Sequence, residues 1–421
     1  MKQFLISAVS VVSSLAMPAW ADSVQSRPSA PRLSLARAEA LALQQQPQLL
    51  AQAAEAEAAR ASAIAAAQLP DPKLSFGFRN LPIEAPDPYA GDAERMAMTH
   101  LSISQAFPRA KKRALRRQQQ SQIAALADAE LAATTLSIRR GAAEQWLGIW
   151  AAERETALLA ELIALAQLDQ QSARINAASA RLPQTELLAV EIQLDLLKDR
   201  RIAVAQRATT ARDLLARWVG QAAYLPVPDA APELPDAGLE ALLAAAPGHP
   251  LINGGDQRVA GAKTGLALAQ AERRPDWWLQ TSLAYRQPYD DLISLEIGFD
   301  LPIFPGDRQD GRTDAARARL QAAESLQDDQ LRELLARIRA EYSQWQNSRQ
   351  RLGAIAETIA RAEQLVASAQ SDYSAGRVEL RRLLQARRSL LDLQLLELEL
   401  QTLSLRSRIA LRELDATEVK S

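Results

Sequence analysis

The sequence predicts a mainly α-helical protein with a small β part, built as two structural repeats. Three observations carry this: landmarks that recur at an offset of about 200 residues, two long stretches without proline, and four short segments of alternating polarity. Composition agrees. The 421 residues are 48% hydrophobic but only 5% aromatic, an Ala- and Leu-rich mixture suited to long helices. Lys plus Arg number 49 against 50 Asp plus Glu, so the basic excess of a nucleic-acid binder is missing. With 16 glycines, 2 histidines and no cysteine, little is left for a phosphate loop, a histidine metal centre, a disulfide framework or a thiol nucleophile. No cofactor is expected.

In chain order, the first segment reads as a secretory leader. Lys2 gives a positive start, Phe4 to Ala16 is mildly apolar, and Ala19-Trp20-Ala21 supplies the small-x-small pattern for cleavage before Asp22. The apolar part falls short of the roughly 20 residues that span a bilayer, and no later stretch reaches that length. A mean hydropathy of −0.18 fits. The expected mature chain is periplasmic, secreted or inserted as a barrel, with no transmembrane helix.

The remainder divides into residues 22–223 and 224–421. Ala38 to Leu43 leads to Pro47-Gln48-Leu49, and Leu239 to Leu243 leads to Pro250-Leu251-Ile252. Leu69-Pro70-Asp71 returns as Arg274-Pro275-Asp276, Leu101-Ser102-Ile103 as Leu295-Glu296-Ile297, and Arg181 with Leu187-Leu188 as Arg377 with Leu383-Leu384. Four landmarks in one order, at offsets of 203, 205, 194 and 196, indicate a duplication. Each half then reads as a short amphipathic helix, a Pro-Asp signal, two period-2 stretches, a proline and two very long helices.

Breakers are scarce in the helices. Between Arg109 and Ile175 the only glycines are Gly141 and Gly148, and between Gly311 and Ala375 only Gly353 intervenes. At 1.5 Å per residue each spans roughly 100 Å, so each needs lateral neighbours along its length. Leu384, Leu391, Leu398 and Leu405 repeat every seven residues, and Leu383, Leu390, Leu393 and Leu400 widen the apolar face to two seams. An ordinary antiparallel coiled coil explains these leucines equally well.

The strands are expected at 73–79, 95–107, 277–286 and 292–301. In the first, Leu74, Phe76 and Phe78 oppose Lys73, Ser75, Gly77 and Arg79; in the last, Ile293, Leu295, Ile297 and Phe299 oppose Ser294, Glu296 and Gly298. Such alternation suits an outer-membrane strand or any half-buried strand. Trp277 and Trp278 at one end of a strand, Tyr285 at the other, and Phe107 and Phe304 beside closing prolines favour membrane girdles. Four strands do not close a barrel, for which about eight are needed, and open edges are not tolerated in lipid. If these strands are transmembrane, several chains must therefore share one barrel, with the long helices continuing from it as a tube into the periplasm.

These features, with Tyr373-x-x-Gly376 followed by Leu383-Leu384-x-Ala386-Arg387, resemble the TolC-type outer-membrane factors across essentially the whole mature chain. Leu69-Pro70-Asp71-Pro72-Lys73-Leu74, Asn80-Leu81-Pro82-Ile83, Met96-x-Met98, Ser104-Gln105-x-Phe107-Pro108 and Lys111-Lys112-Arg113 resemble the branch serving heavy-metal efflux pumps of the resistance-nodulation-division type. The resemblance implies a homotrimer with a 12-stranded barrel in the outer membrane of a Gram-negative bacterium and a long periplasmic α-barrel. Its partners would be outer-membrane lipid, a periplasmic membrane-fusion adaptor and an inner-membrane pump. Many relatives carry an acylated cysteine after the leader; this chain has none, and no lipid anchor is expected.

In that family the helix-turn-helix tips narrow the channel and meet the adaptor, which here points to 176–186 and 371–382. Arg181, Asp372, Arg377, Glu379, Arg381 and Arg382 are the gate and docking charges it suggests, and Pro183 and Gly376 suit the turns. Met96, Met98 and His100, at period 2, offer at most weak transit contacts for a metal ion. His249 before Pro250 reads as structural, and no metal site is assigned. The basic run Lys111, Lys112, Arg113, Arg116 and Arg117 is either a contact for acidic lipid or a solvated helix face. With no nucleophile and base brought together, an enzyme is not expected. The leading expectation is a passive exit duct for heavy-metal cations, against drug efflux or type I protein secretion, and against a periplasmic coiled-coil scaffold.

Overall fold

The computed structural model describes residues 32–44, 46–81, 97–236, 238–286 and 289–415. The expected leader and Met96 lie outside them. The first repeat comprises α1 (Leu35–Leu43), α2 (Pro47–Ala67), β1 (Lys73–Arg79), β2 (Met98–Phe107), α3 (Ala110–Ala178) and α4 (Gln184–Val219); the second comprises α5 (Leu239–Ala245), α6 (Pro250–Ala271), β3 (Trp277–Tyr285), β4 (Leu292–Phe299), α7 (Gly311–Ser374) and α8 (Leu380–Leu414). The two halves thus repeat one order of elements.

Two expectations need correction. Each half opens with two helices, not one, because Pro47 and Pro250 each stand at a first helical position and start a second helix of 21 or 22 residues. Helix α2 is so rich in alanine that no apolar stripe marks it in the sequence. Of the two very long helices expected in each half, only the first reaches that length, at 69 residues for α3 and 64 for α7; the second, α4 and α8, runs to 36 and 35.

The helices lie in a single row. Near the sheet the packing order is α2, α3, α6, α7; farther along it is α4, α3, α8, α7. The long helices α3 and α7 therefore run through both levels, and shorter helices fill in beside them. Both leucine seams of α8 are used, since Leu383, Leu384, Leu391, Leu400 and Leu405 are all buried.

Where the two levels meet, an extra layer covers one face of the row. Leu33, helix α1 and the segment 225–234 pack on Trp146, Leu147 and Trp150 of α3 and Leu215 of α4. In the second repeat Leu242 and Ile252 pack on Leu334, Ile338 and Trp345 of α7 and Leu411 and Leu414 of α8. Arg412 of α8 holds Glu39 of α1 at 3.0 Å, tying the end of the chain to its start.

His249 caps α6 and is buried. Its Nδ1 accepts from the Leu251 N–H at 3.2 Å, and its Nε2 stands 3.1 Å from the Glu413 carbonyl oxygen, to which a neutral Nε2–H donates. Burial is the largest influence on this imidazole and holds its pKa below the ordinary 6.5 despite the Glu413 carbonyl and charge. Below that value the unfolded chain takes up a proton that the folded chain refuses, so stability falls as pH drops. We expect His249→Asn, which keeps a capping side chain, to flatten the pH dependence of thermal unfolding between roughly pH 5 and 7, measured by loss of helicity in mild detergent.

Candidate channel wall and gate

The four strands form one antiparallel sheet in the order β1-β2-β3-β4. Register decides what each face carries. Leu74 lies opposite Ile103 and Phe76 opposite Leu101; Leu101 lies opposite Leu283, and Leu283 opposite Ile293. Since directly paired residues share a face, the apolar sets of all four strands merge into one surface, and it is open to solvent. Phe76 is 68% exposed, Ile293 82% and Leu295 68%.

The other face is polar and joined by short contacts. The Ser75 and Ser102 hydroxyls are 2.6 Å apart, and His100 Nδ1 sits 3.0 Å from the Gly77 carbonyl oxygen. Met98 and His100 both belong here, paired with Arg79 and Gly77. Among the described residues no cluster of three His, Cys, Asp or Glu side chains is placed to hold a metal ion. Trp278 also lies on this face and departs from the expected girdle. It covers Gly298, where an added Cβ would collide with its ring. The cause is alternation itself, because adjacent residues of a strand point to opposite faces. Trp277 is on the apolar face, stacked on Phe107 with centroids 4.2 Å apart, and Tyr285 pairs with Thr99 on that face. Phe304 lies beyond the end of β4 and is 79% exposed.

Below the sheet an ion pair between a buried lysine and a partly exposed carboxylate joins the repeats. Lys112 donates to the Arg274 carbonyl at 2.7 Å and pairs with Asp276 at 3.0 Å, and Asp276 also accepts the Arg109 N–H at 3.0 Å. Burial of the Asp276 carboxyl acts to raise its pKa, but that amide and Lys112 together hold it below the usual carboxylate value. This lysine belongs to the basic run read in the sequence, and its role is internal.

At the far end both helical hairpins turn by the same device. In the first, the Arg181 N–H reaches back to the Asn176 carbonyl at 2.8 Å; in the second, the Arg377 N–H reaches the Asp372 carbonyl at 2.8 Å. Each is a Schellman cap with one left-handed residue, Ala180 at φ +55° and Gly376 at φ +73°. Pro183 and Glu379 then stand at the N-caps of α4 and α8. The sequence offset of 196 thus reappears as matched geometry. Alanine tolerates this conformation poorly, so Ala180→Gly should stabilise the first turn locally by about 1 kcal/mol, slowing amide exchange there several-fold.

Charges at the tips pair within and between the hairpins. Asp372 and Arg377 are 3.3 Å apart across their own turn, and Arg381 pairs with Glu186 of the other hairpin at 3.2 Å. The Arg382 N–H donates to the Glu379 carbonyl at 3.1 Å. Arg388 donates to Gln193 at 2.5 Å one turn farther on. A cavity of about 340 Å³ opens between the hairpins, lined by Leu162, Glu186, Leu197, Arg381, Leu384 and Arg388. Glu186, Gln193 and Arg388 were not legible as tip contacts, because residues 195 apart in sequence meet only once α4 and α8 are packed on α3.

Helix α4 carries a further apolar surface. Leu188, Ile192, Leu196, Ile202 and Leu214 are all exposed along it. It stands at one end of the row, as α7 does at the other.

Residues 256–417 match the model of the outer membrane efflux protein family. Over that stretch, within the second repeat, the chain resembles that family. No curated protein matches it. Among solved structures, the outer membrane efflux fold is shared with CusC at 15% identity, covering 90% of this chain and 91% of that one, with a TM-score of 0.72. VceC from Vibrio cholerae is similar at 19% identity, covering 91% and 96%, with a TM-score of 0.74. The open state of the Neisseria gonorrhoeae MtrE channel is similar at 14% identity, covering 91% and 89%, with a TM-score of 0.73. At such identities the likeness is one of fold, and it extends over both repeats.

Proposed function

We propose that three copies of this chain form the outer-membrane exit duct of a tripartite efflux pump. One observation carries the proposal: a four-stranded sheet whose apolar face is largely exposed and whose β1 and β4 have no further strand partner among the described residues. Neither face nor edges suit a water-soluble monomer. Three sheets joined edge to edge give 12 strands, place the apolar faces toward outer-membrane lipid, and leave the polar faces around a lumen. The same closure brings α7 of one copy beside α2 and α4 of the next, covering the exposed leucines of α4. Among the described residues no helix is long and apolar enough to cross a membrane, so the row of helices is assigned to the periplasm.

The duct is passive, without a cofactor, and the tips form its gate and meet a periplasmic adaptor that links it to an inner-membrane pump of the resistance-nodulation-division type. Threefold repetition of each tip charge makes like charges repel at the constriction, and the pairs of Asp372 with Arg377 and Arg381 with Glu186 offset that repulsion. Charge reversal at Arg377 is expected to raise the resting conductance of the purified protein in planar bilayers. Unchanged conductance would remove Arg377 from the gate. The cargo assigned is heavy-metal cations, supported by the motifs at 69–74, 80–83 and 104–108 that resemble the metal branch. Deletion of the gene with complementation, titrated against copper, silver, zinc, cadmium, cobalt and a drug panel, tests the cargo. Sensitivity confined to one group of metals supports it; sensitivity to drugs alone moves the duct to drug export, and sensitivity to neither moves it to secretion.

A further inference from the structure

Between the tips and the covered level, a second cavity of about 580 Å³ lies across all four helices of the row. Four arginines from three helices border it: Arg200 and Arg207 of α4, Arg351 of α7 and Arg406 of α8. Three carboxylates oppose them: Glu155, Asp392 and Glu399. Two of the arginines are already engaged, since Arg200 and Arg207 both hold Glu155, at 2.9 and 2.8 Å. Glu155 itself is 14% exposed, so the clamp forms one built wall. Arg351 and Arg406 make no ion pair or hydrogen bond among the described residues. Asp392 faces Arg388 at 4.0 Å. The floor is apolar, with Leu395, Leu396 and Leu403 of α8.

Helical geometry fixes which face of the row this is. Arg349 and Arg408 both pair with Asp236 of the segment 225–236, and Glu153, which holds Arg212, lies one helical turn from Trp150 of the covered cluster. Glu155, Arg351 and Arg406 each stand two residues away from one of these, a rotation of about 200° on a helix. The cavity therefore opens on the face opposite α1 and the segment 225–236. A covering layer inside a closed tube would fill its bore, so the open face is the lumenal one.

We infer that this cavity is a binding site for an organic anion, whose carboxylate or sulfonate head pairs with Arg351 and Arg406 while its apolar body lies on Leu396 and Leu403. Planar guanidinium groups match such heads with two parallel hydrogen bonds. The leucine floor rewards an apolar body, which inorganic phosphate lacks. The volume lies within the range that accepts a small organic ligand. The site is complete within one chain, and only its lumenal placement rests on the duct proposed above. Repeated three times, it gives the duct a station of net positive charge, at which a metal cation would pause as its complex with an anionic organic ligand rather than bare.

The test is isothermal titration of 1-naphthalenesulfonate into the full-length protein in dodecyl maltoside. We expect saturable binding of one ligand per chain that weakens with added salt. The double variant R351Q/R406Q should lose about tenfold or more in affinity, with helicity unchanged because both side chains lie at the cavity surface rather than in a packed core. The neutral 1-naphthalenesulfonamide should bind far more weakly, and R361Q, outside the cavity on α7, should bind as the unaltered protein does. Absence of saturable binding, equal binding by the double variant, or equal binding of the neutral analogue overturns the inference. None of these outcomes depends on trimer formation or on the phenotype of gene deletion, so the inference and the duct fail separately.

Discussion

Trp146→Ala is expected to cost about 3–4 kcal/mol, the largest single effect of any side chain outside the sheet. The indole is 1% exposed, and its Nε1–H donates to the Leu33 carbonyl at 2.7 Å. It fills the contact between α3 and the covering layer, with Leu33, Ala38 and Leu215 in the same buried cluster. Truncation removes the apolar burial, opens a void and leaves the Leu33 carbonyl without its donor. Trp146→Phe fills most of the volume without the N–H, and should recover more than half of the loss. Denaturant unfolding in mild detergent, followed by helicity, separates the two. An alanine variant as stable as the parent would mean that the covering layer contributes nothing to the fold.

Lys112→Met is the second, at about 2–3 kcal/mol. The lysine side chain is 6% exposed and Asp276 25%. Methionine matches the length of the stem but leaves the Arg274 carbonyl and one oxygen of Asp276 unpaired beneath the sheet. A partly exposed carboxylate recovers some hydration, which holds the cost below that of a fully buried pair. Because the pair also keeps Asp276 ionised, it contributes stability above the unfolded carboxylate pKa, and that contribution is lost as pH falls through the lower folded value. The variant should therefore differ most from the parent near neutral pH, and the two should converge in acid.

How much of this was legible in the sequence follows from the range of each interaction. Local periodicity places all four strands to within a few residues, because a slip of one position would turn Phe76 or Leu295 to the polar face; Leu295 and Ile297 fall where alternation puts them. Absence of breakers places α3 and α7. The break before α2 is hidden because Pro47 reads equally as the end of one helix or the first turn of another. Nothing in Ala180 announces a left-handed residue, and only its match to Gly376 at the repeat offset hints at one. Lys112 looks like one charge of a surface run, since the partner that buries it lies 164 residues away. The arginine cavity is invisible for the same reason: it is assembled from α3, α4, α7 and α8, and its members carry no shared motif.

Native mass spectrometry of the protein extracted from outer membranes in mild detergent addresses the channel reading most directly. The apolar sheet face and the unpartnered edges of β1 and β4 predict a particle of three chains that needs detergent to remain dispersed. A monomer that stays soluble and folded without detergent would contradict the shared barrel, and with it the assignment of the chain as an outer-membrane duct.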